Sequence, residues 1–159
     1  MASTITPATM TVTISESITL NGKNQGGTTT KSFSSIAEIT KRILTITTTE
    51  SVIATFSAAV ASAGHYIAAD VRYIRFTNLD DAAFVALTFR NQDNDEVSIK
   101  LDYGQSLILN GDNGNGMTAV MNATQDADAA SFANFGSLTN IQADAETGTV
   151  DLEMVIASV

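Results

Sequence analysis

Residues 72–81 read RYIRFTNLDD, and the fold turns on how that stretch is read. Ile74 and Phe76 alternate with Arg75 and Thr77, the period of two that puts one face of a strand inside and the other outside. The run then stops on Asn78, Asp80 and Asp81, residues that favour turns because their side chains bond neighbouring backbone. With FVALTFR following at 84–90, the pattern predicts a β-hairpin, 71–77 against 84–90, closed around Asn78–Asp81.

The same period recurs in both directions. Met10, Val12, Ile14, Ile18 and Leu20 alternate with Thr and Ser, a pattern broken only by Glu16, and the run ends at Asn21-Gly22. Near the other end Val150, Leu152, Met154 and Ile156 alternate with Asp151, Glu153 and Val155. These two strands carry the sharpest faces, so Val12, Ile14, Leu152 and Met154 are expected to be buried. Strands are also predicted at 42–48, 50–56, 97–101, 106–109, 117–123 and 138–143. The segment 90–96 is a turn, and Gly104 in DYGQ sits where a turn needs positive φ. KNQGGTTTK (23–31) reads as a flexible loop, NGDNGNG (110–116) as another, and 124–136 as a polar excursion. Ser35–Glu38 has capping-box form with Ile36, Ile39 and Ile43 at helical spacing, which predicts a short helix there. A further helical turn is expected within the loop at 57–66.

About eight to ten short strands, with turns every 8–12 residues or so, predict an all-β fold. The expectation is a single antiparallel β-sandwich of jelly-roll type with short helical turns. It would run from residue 10 to 159 behind an N-terminal arm, residues 1–9.

Composition narrows the function classes. The chain has 159 residues, 17 acidic against 8 basic, and a formal charge of −9. Such a surface repels nucleic acid and anionic lipid unless its cations cluster, and Lys41-Arg42 and Arg72/Arg75 are too short to form a basic stripe. Cysteine is absent, which excludes disulfides and thiolate metal sites. The N-terminus lacks the basic start and apolar core of a secretory signal. No apolar run approaches the roughly 18 residues of a membrane-spanning helix.

Candidate sites are few. His65 is the single histidine, so neither a His-based triad nor a histidine-cluster zinc site can be built within one chain. It reads as a loop histidine. Asp80-Asp81 and Asp93/Asp95/Glu96 could gather carboxylates for Ca²⁺ or acid–base chemistry, but Asp and Asn at turns have a simpler reason to be there. Asp112 and Asn113 faintly suggest a calcium loop that lacks the later bidentate glutamate. Phe132 and Phe135 could anchor a partner or pin a loop to the core. None of these makes a catalytic, cofactor or metal site, and no enzyme activity is expected.

One resemblance rests on YIRFTNLDD, FVALTF and VSIKLDYGQSLIL. This spacing resembles the rhythm I-x-N-x-D, v-x-L, L-x-P-G-x-S-x-x-L of virion proteins of tailed bacteriophages, notably small β-sandwich capsid decoration (cement) proteins. Asp102-Tyr103 stands where many have an apolar residue and proline. LTNIQADAETGTVDLEMVIAS (138–158) also resembles closing strands of phage structural proteins. The resemblance implies a non-enzymatic decoration protein, assembled in a host cytoplasm and resident in the virion. Its partners would be the major capsid protein and further copies of itself, most simply as a trimer. A polar arm or loop at 1–9, 22–32 or 124–136 would bridge capsid subunits. The alternatives are a tail, fibre or filament subunit, and a carbohydrate- or calcium-binding module.

Overall fold

The computed structural model of the chain describes residues 5–59, 62–111 and 138–159. Every regular element among them is a strand. In chain order these are β1 (Ala8–Ser15), β2 (Thr19–Leu20), β3 (Lys23–Asn24), β4 (Thr28–Ile36), β5 (Glu38–Thr47), β6 (Ser51–Phe56) and β7 (His65–Tyr66). They continue with β8 (Val71–Asn78), β9 (Val85–Asn91), β10 (Glu96–Leu101), β11 (Ser106–Asn110), β12 (Leu138–Ala145) and β13 (Thr149–Ser158). The strand expected at 117–123, the loop residues 112–116 with Asp112 and Asn113, and the excursion with Phe132 and Phe135 lie outside the described residues.

Two larger sheets supply the core. One has four strands in the order β11-β8-β13-β5, the other five in the order β10-β9-β12-β6-β7. Apart from the short parallel contact of β6 with β7, all pairing is antiparallel. The pairs nest. Leaving out β7, the first of the remaining strands from β5 onward pairs with the last (β5 with β13), then β6 with β12, β8 with β11, and β9 with β10. Val150, Leu152, Met154 and Ile156 of β13 join Ile74 and Phe76 of β8 and Leu87, Phe89 and Ile141 of the other sheet in one buried cluster. Phe76 and Phe89 meet edge to face across it, their ring centres 6.4 Å apart.

Several expectations need correction. Asn78–Asp81 does not close a hairpin, because β8 and β9 belong to different sheets and the segment is a crossover between them. Asn and Asp signal a reversal of the chain, not which sheet receives the next strand. No helix forms at 35–38 among the described residues. Ser35 adopts a φ of 61°, and the chain turns a corner from β4 into β5 there. The Ala37 amide is held by the Ser158 carbonyl at 2.9 Å. β-Branched isoleucines at helical spacing are as well placed on strands, and the ladder to β13 decides the matter. The helical turn expected in 57–66 is likewise absent from the described part, which ends in β7. KNQGGTTTK is not a loose loop either: it contains β3 and the start of β4.

The two sharp faces diverge as well. Leu152 and Met154 are fully buried. Val12 is only half-buried and Ile14 is 47% exposed, because β1 pairs with β4 alone in a separate two-stranded sheet. The expected boundary between residues 9 and 10 falls inside β1.

Candidate functional site

The segment from β1 to β4 is a long hairpin whose two faces differ in chemistry. Direct partners across the ladder share a face. On one, Thr11 lies 3.3 Å from Ser32, Thr13 3.4 Å from Thr30 and Ser15 3.2 Å from Thr28, hydroxyl to hydroxyl. On the other, Met10 faces Phe33, Val12 faces Lys31 and Ile14 faces Thr29.

The root of this apolar face is anchored. Phe33 and Ile36 are buried with Tyr73 and Ala157, and Met10, Val12, Ile108 and Val155 pack around them. Tyr73, Val155 and Ala157 lie on the face of the four-stranded sheet opposite the main core, since they alternate with Ile74, Met154 and Ile156. The Phe33 and Tyr73 rings are 6.1 Å apart. Lys31 sits 5.7 Å from the centre of the Phe33 ring.

The distal end is shaped but uncovered. Asn21 and Gly22, with φ of 50° and 75°, form a two-residue turn of the type that matches strand twist. It joins Thr19–Leu20 to Lys23–Asn24. The Glu16 amide donates to the Gly27 carbonyl and the Gln25 amide to that of Ile18. A Cβ at Gly26 would lie 2.2 Å from the Glu16 carbonyl oxygen, so only glycine fits there. Yet Ile14, Ile18 and Leu20 are 47–60% exposed. Beyond the corner at Ala37, Ile39 and Ile43 of β5 are exposed too, on the sheet face away from the main core. The hairpin is thus ordered while its aliphatic end stays uncovered.

Beside its root stands a charged group. Glu153 of β13 accepts from Arg75 at 2.5 Å and from Lys41 at 2.8 Å, with its side chain only 12% exposed. The hydrogen bond from Lys41, and then that from Arg75, hold its carboxyl below the usual glutamate range. A depressed value stabilises the folded chain above the ordinary glutamate pKa of about 4.3, and that contribution fades as pH falls through the folded value. Glu153→Gln should therefore flatten the loss of thermal stability between neutral and acid pH. Melting curves from pH 7 to about 3 measure this; an unchanged acid slope would mean other carboxylates set it.

The acidic clusters serve turns. Asp80 Oδ1 accepts the amides of Ala82 and Ala83, each at 2.8 Å. These bonds, Ala83 first, lower its carboxyl pKa. Asn91 Oδ1 accepts the amides of Asp93 and Asp95, and Glu96 pairs with Arg90 across the β9–β10 ladder. Asp81 is exposed at the crossover. Among the described residues no three His, Asp or Glu side chains gather as metal ligands.

His65 lies in β7, not in a free loop, at the mouth of a groove between β5 and β6. Sequence reasoning missed Arg42, which lines the same groove. Its only signal is its register: Arg42 pairs with buried Met154 and so points to the inner side of an edge strand. Comparison with known protein families, characterised proteins and solved structures gave no match.

Proposed function

We propose that the chain is a non-enzymatic structural subunit of a bacteriophage virion, a capsid decoration protein that docks through its hairpin. Its body is then a β-sandwich of jelly-roll topology. The nested pairing of eight strands, first with last and inward to β9–β10, is the order that rolling up one long antiparallel ribbon produces. The observation that carries the role is the hairpin end itself, ordered by a tight turn and a required glycine, yet leaving Ile14, Ile18 and Leu20 uncovered. Of the three segments expected to bridge capsid subunits, 22–32 lies within this hairpin. The resemblance of 73–109 to decoration proteins names the class of partner, the major capsid protein, with further copies of the chain completing a homo-oligomer.

Binding to capsids stripped of the protein tests this reading. Each buried aliphatic side chain contributes about 1.5–3 kcal/mol. Ile18→Ser with Leu20→Ser should therefore weaken attachment at least about tenfold and leave the melting temperature of the isolated protein unchanged. Undiminished attachment would remove the hairpin from the interface. Assembly of the purified protein into tubes would point to a tail or filament subunit instead.

A further inference from the structure

The register that pairs Met10–Ser15 with Phe33–Thr28 runs on unshifted to the end of the hairpin. Glu16 bonds Gly27, Gln25 bonds Ile18, and Leu20 pairs with Lys23. Ile14, Glu16, Ile18 and Leu20 therefore share one face, with Lys23 beside Leu20. All five are exposed. Gly27 stands across from Glu16, so no side chain neighbours that carboxylate on the ladder, and it bonds nothing among the described residues.

A second exposed strip has the same spacing. Ile39, Lys41 and Ile43 take alternate positions of β5, on the face of the four-stranded sheet away from the core, and Thr45 follows beside Asp151. Ile39 and Ile43 are 58% and 61% exposed, and Lys41 63%. The chain's own hairpin leaves this strip uncovered, because its root packs with Tyr73, Ala157 and Ile108, in β8, β13 and β11.

The two strips match row by row. Alternate residues repeat every ~6.6–6.8 Å on any strand. Laid in the same direction, Ile14 meets Ile39, Glu16 meets Lys41, Ile18 meets Ile43, and Leu20 with Lys23 meets Thr45 with Asp151. Isoleucine falls on isoleucine, and both charge pairs have opposite signs. Of the 8 basic residues, Lys41 alone stands between two exposed isoleucines at strand spacing. Lys41 already holds Glu153, but Arg75 shares that carboxylate and an ammonium has three donors, so a positive charge is left over at this row. The apolar face of the hairpin also packs on a sheet face of this kind at its root, where Met10 and Val12 join Tyr73, Val155 and Ala157. We infer that the hairpin end of one copy lies on the β5 strip of the next, with Glu16 on Lys41.

The partner is a second copy of this chain, and because tip and strip are different surfaces the contact runs head to tail. This inference rests on the reading of the hairpin as the docking element and gives its apolar face to contact between copies. So few residues a side, against the roughly 20–30 of a stable interface, make the contact weak. Copies are then separate at micromolar concentration and join where a capsid lattice holds neighbours at millimolar effective concentration.

Sedimentation equilibrium and amide chemical shifts of the full chain, from about 10 μM to about 1 mM, test the inference. A rising average mass is expected, with concentration-dependent shifts in 14–23 and 39–45. Glu16→Lys has no side-chain partner to lose, so it should keep the melting temperature and weaken association at least about tenfold. Lys41→Glu should weaken it too, and the two substitutions in one chain should restore it to within about threefold of wild type. A chain still monomeric at about 1 mM, association unchanged by Glu16→Lys, or a double variant no better than either single one would each overturn the assignment. The decoration role is tested apart from it: an oligomer that depends on Glu16 but never attaches to capsids upholds this contact and removes that role.

Discussion

Leu152→Ala should lower the unfolding free energy by about 2–5 kcal/mol, while Ile14→Ala should change it by no more than about 0.5 kcal/mol. Urea denaturation of the two variants beside the wild type measures both. Leu152 has no exposed surface and stands in β13, which is hydrogen-bonded on both sides, to β5 and β8. Its neighbours in the cluster come from both sheets and sit on rigid ladders, so a cavity there collapses little. Ile14 has a single ladder partner, Thr29, and is 47% exposed. A cost at Ile14 comparable to that at Leu152 would mean that the hairpin end is covered in the isolated protein.

The pair also shows what could be read from the residues alone. Period two in 10–20 and in 150–156 is equally clear, and it established strands in both places, although the first run breaks at 16–18 into β1 and β2. Alternation separates two faces; it does not say whether anything lies against either. β13 found neighbours on both sides because the chain brought β5 and β8 to it, contacts about a hundred and ten and about eighty residues away in sequence, respectively, that no local pattern carries. Strand β5 is harder still. Its isoleucines at 39 and 43 invite burial, yet the register with β13 turns them outward and sends Thr40 and Arg42 inward. The groove was therefore not legible: Arg42 is an ordinary cation until β5 is known to be an edge and its inner side is known to be open. His65 was visible as the lone histidine, but its setting depends on Gly64 and a two-residue contact with β6.

Asn78→Ala should cost about 3–5 kcal/mol, more than its loss of volume explains. Asn78 is fully buried at the end of β8. Its Nδ2 donates to the carbonyls of Ala83 at 2.9 Å and Leu101 at 3.1 Å, and its Oδ1 accepts the Asp80 amide at 2.9 Å. Its backbone adds two more bonds, its amide to the Gln105 carbonyl and its carbonyl from the Gly104 amide. One residue thus ties together both crossovers at this end of the body, β8 to β9 and β10 to β11. Alanine keeps the backbone bonds and strands two buried carbonyls and an amide without partners. Asn78→Asp separates this from a packing defect. Aspartate keeps the shape and the acceptor but turns the donor into an oxygen facing two carbonyls, which raises its folded pKa above the ordinary value of about 3.9. A raised value means stability that is present below that pH and lost as pH rises through the folded pKa. Relative to wild type, Asn78→Asp should therefore recover on acidification, whereas Asn78→Ala should not. A cost near zero for Asn78→Ala, or parallel pH profiles for the two variants, would show that the crossovers are held by backbone bonds alone.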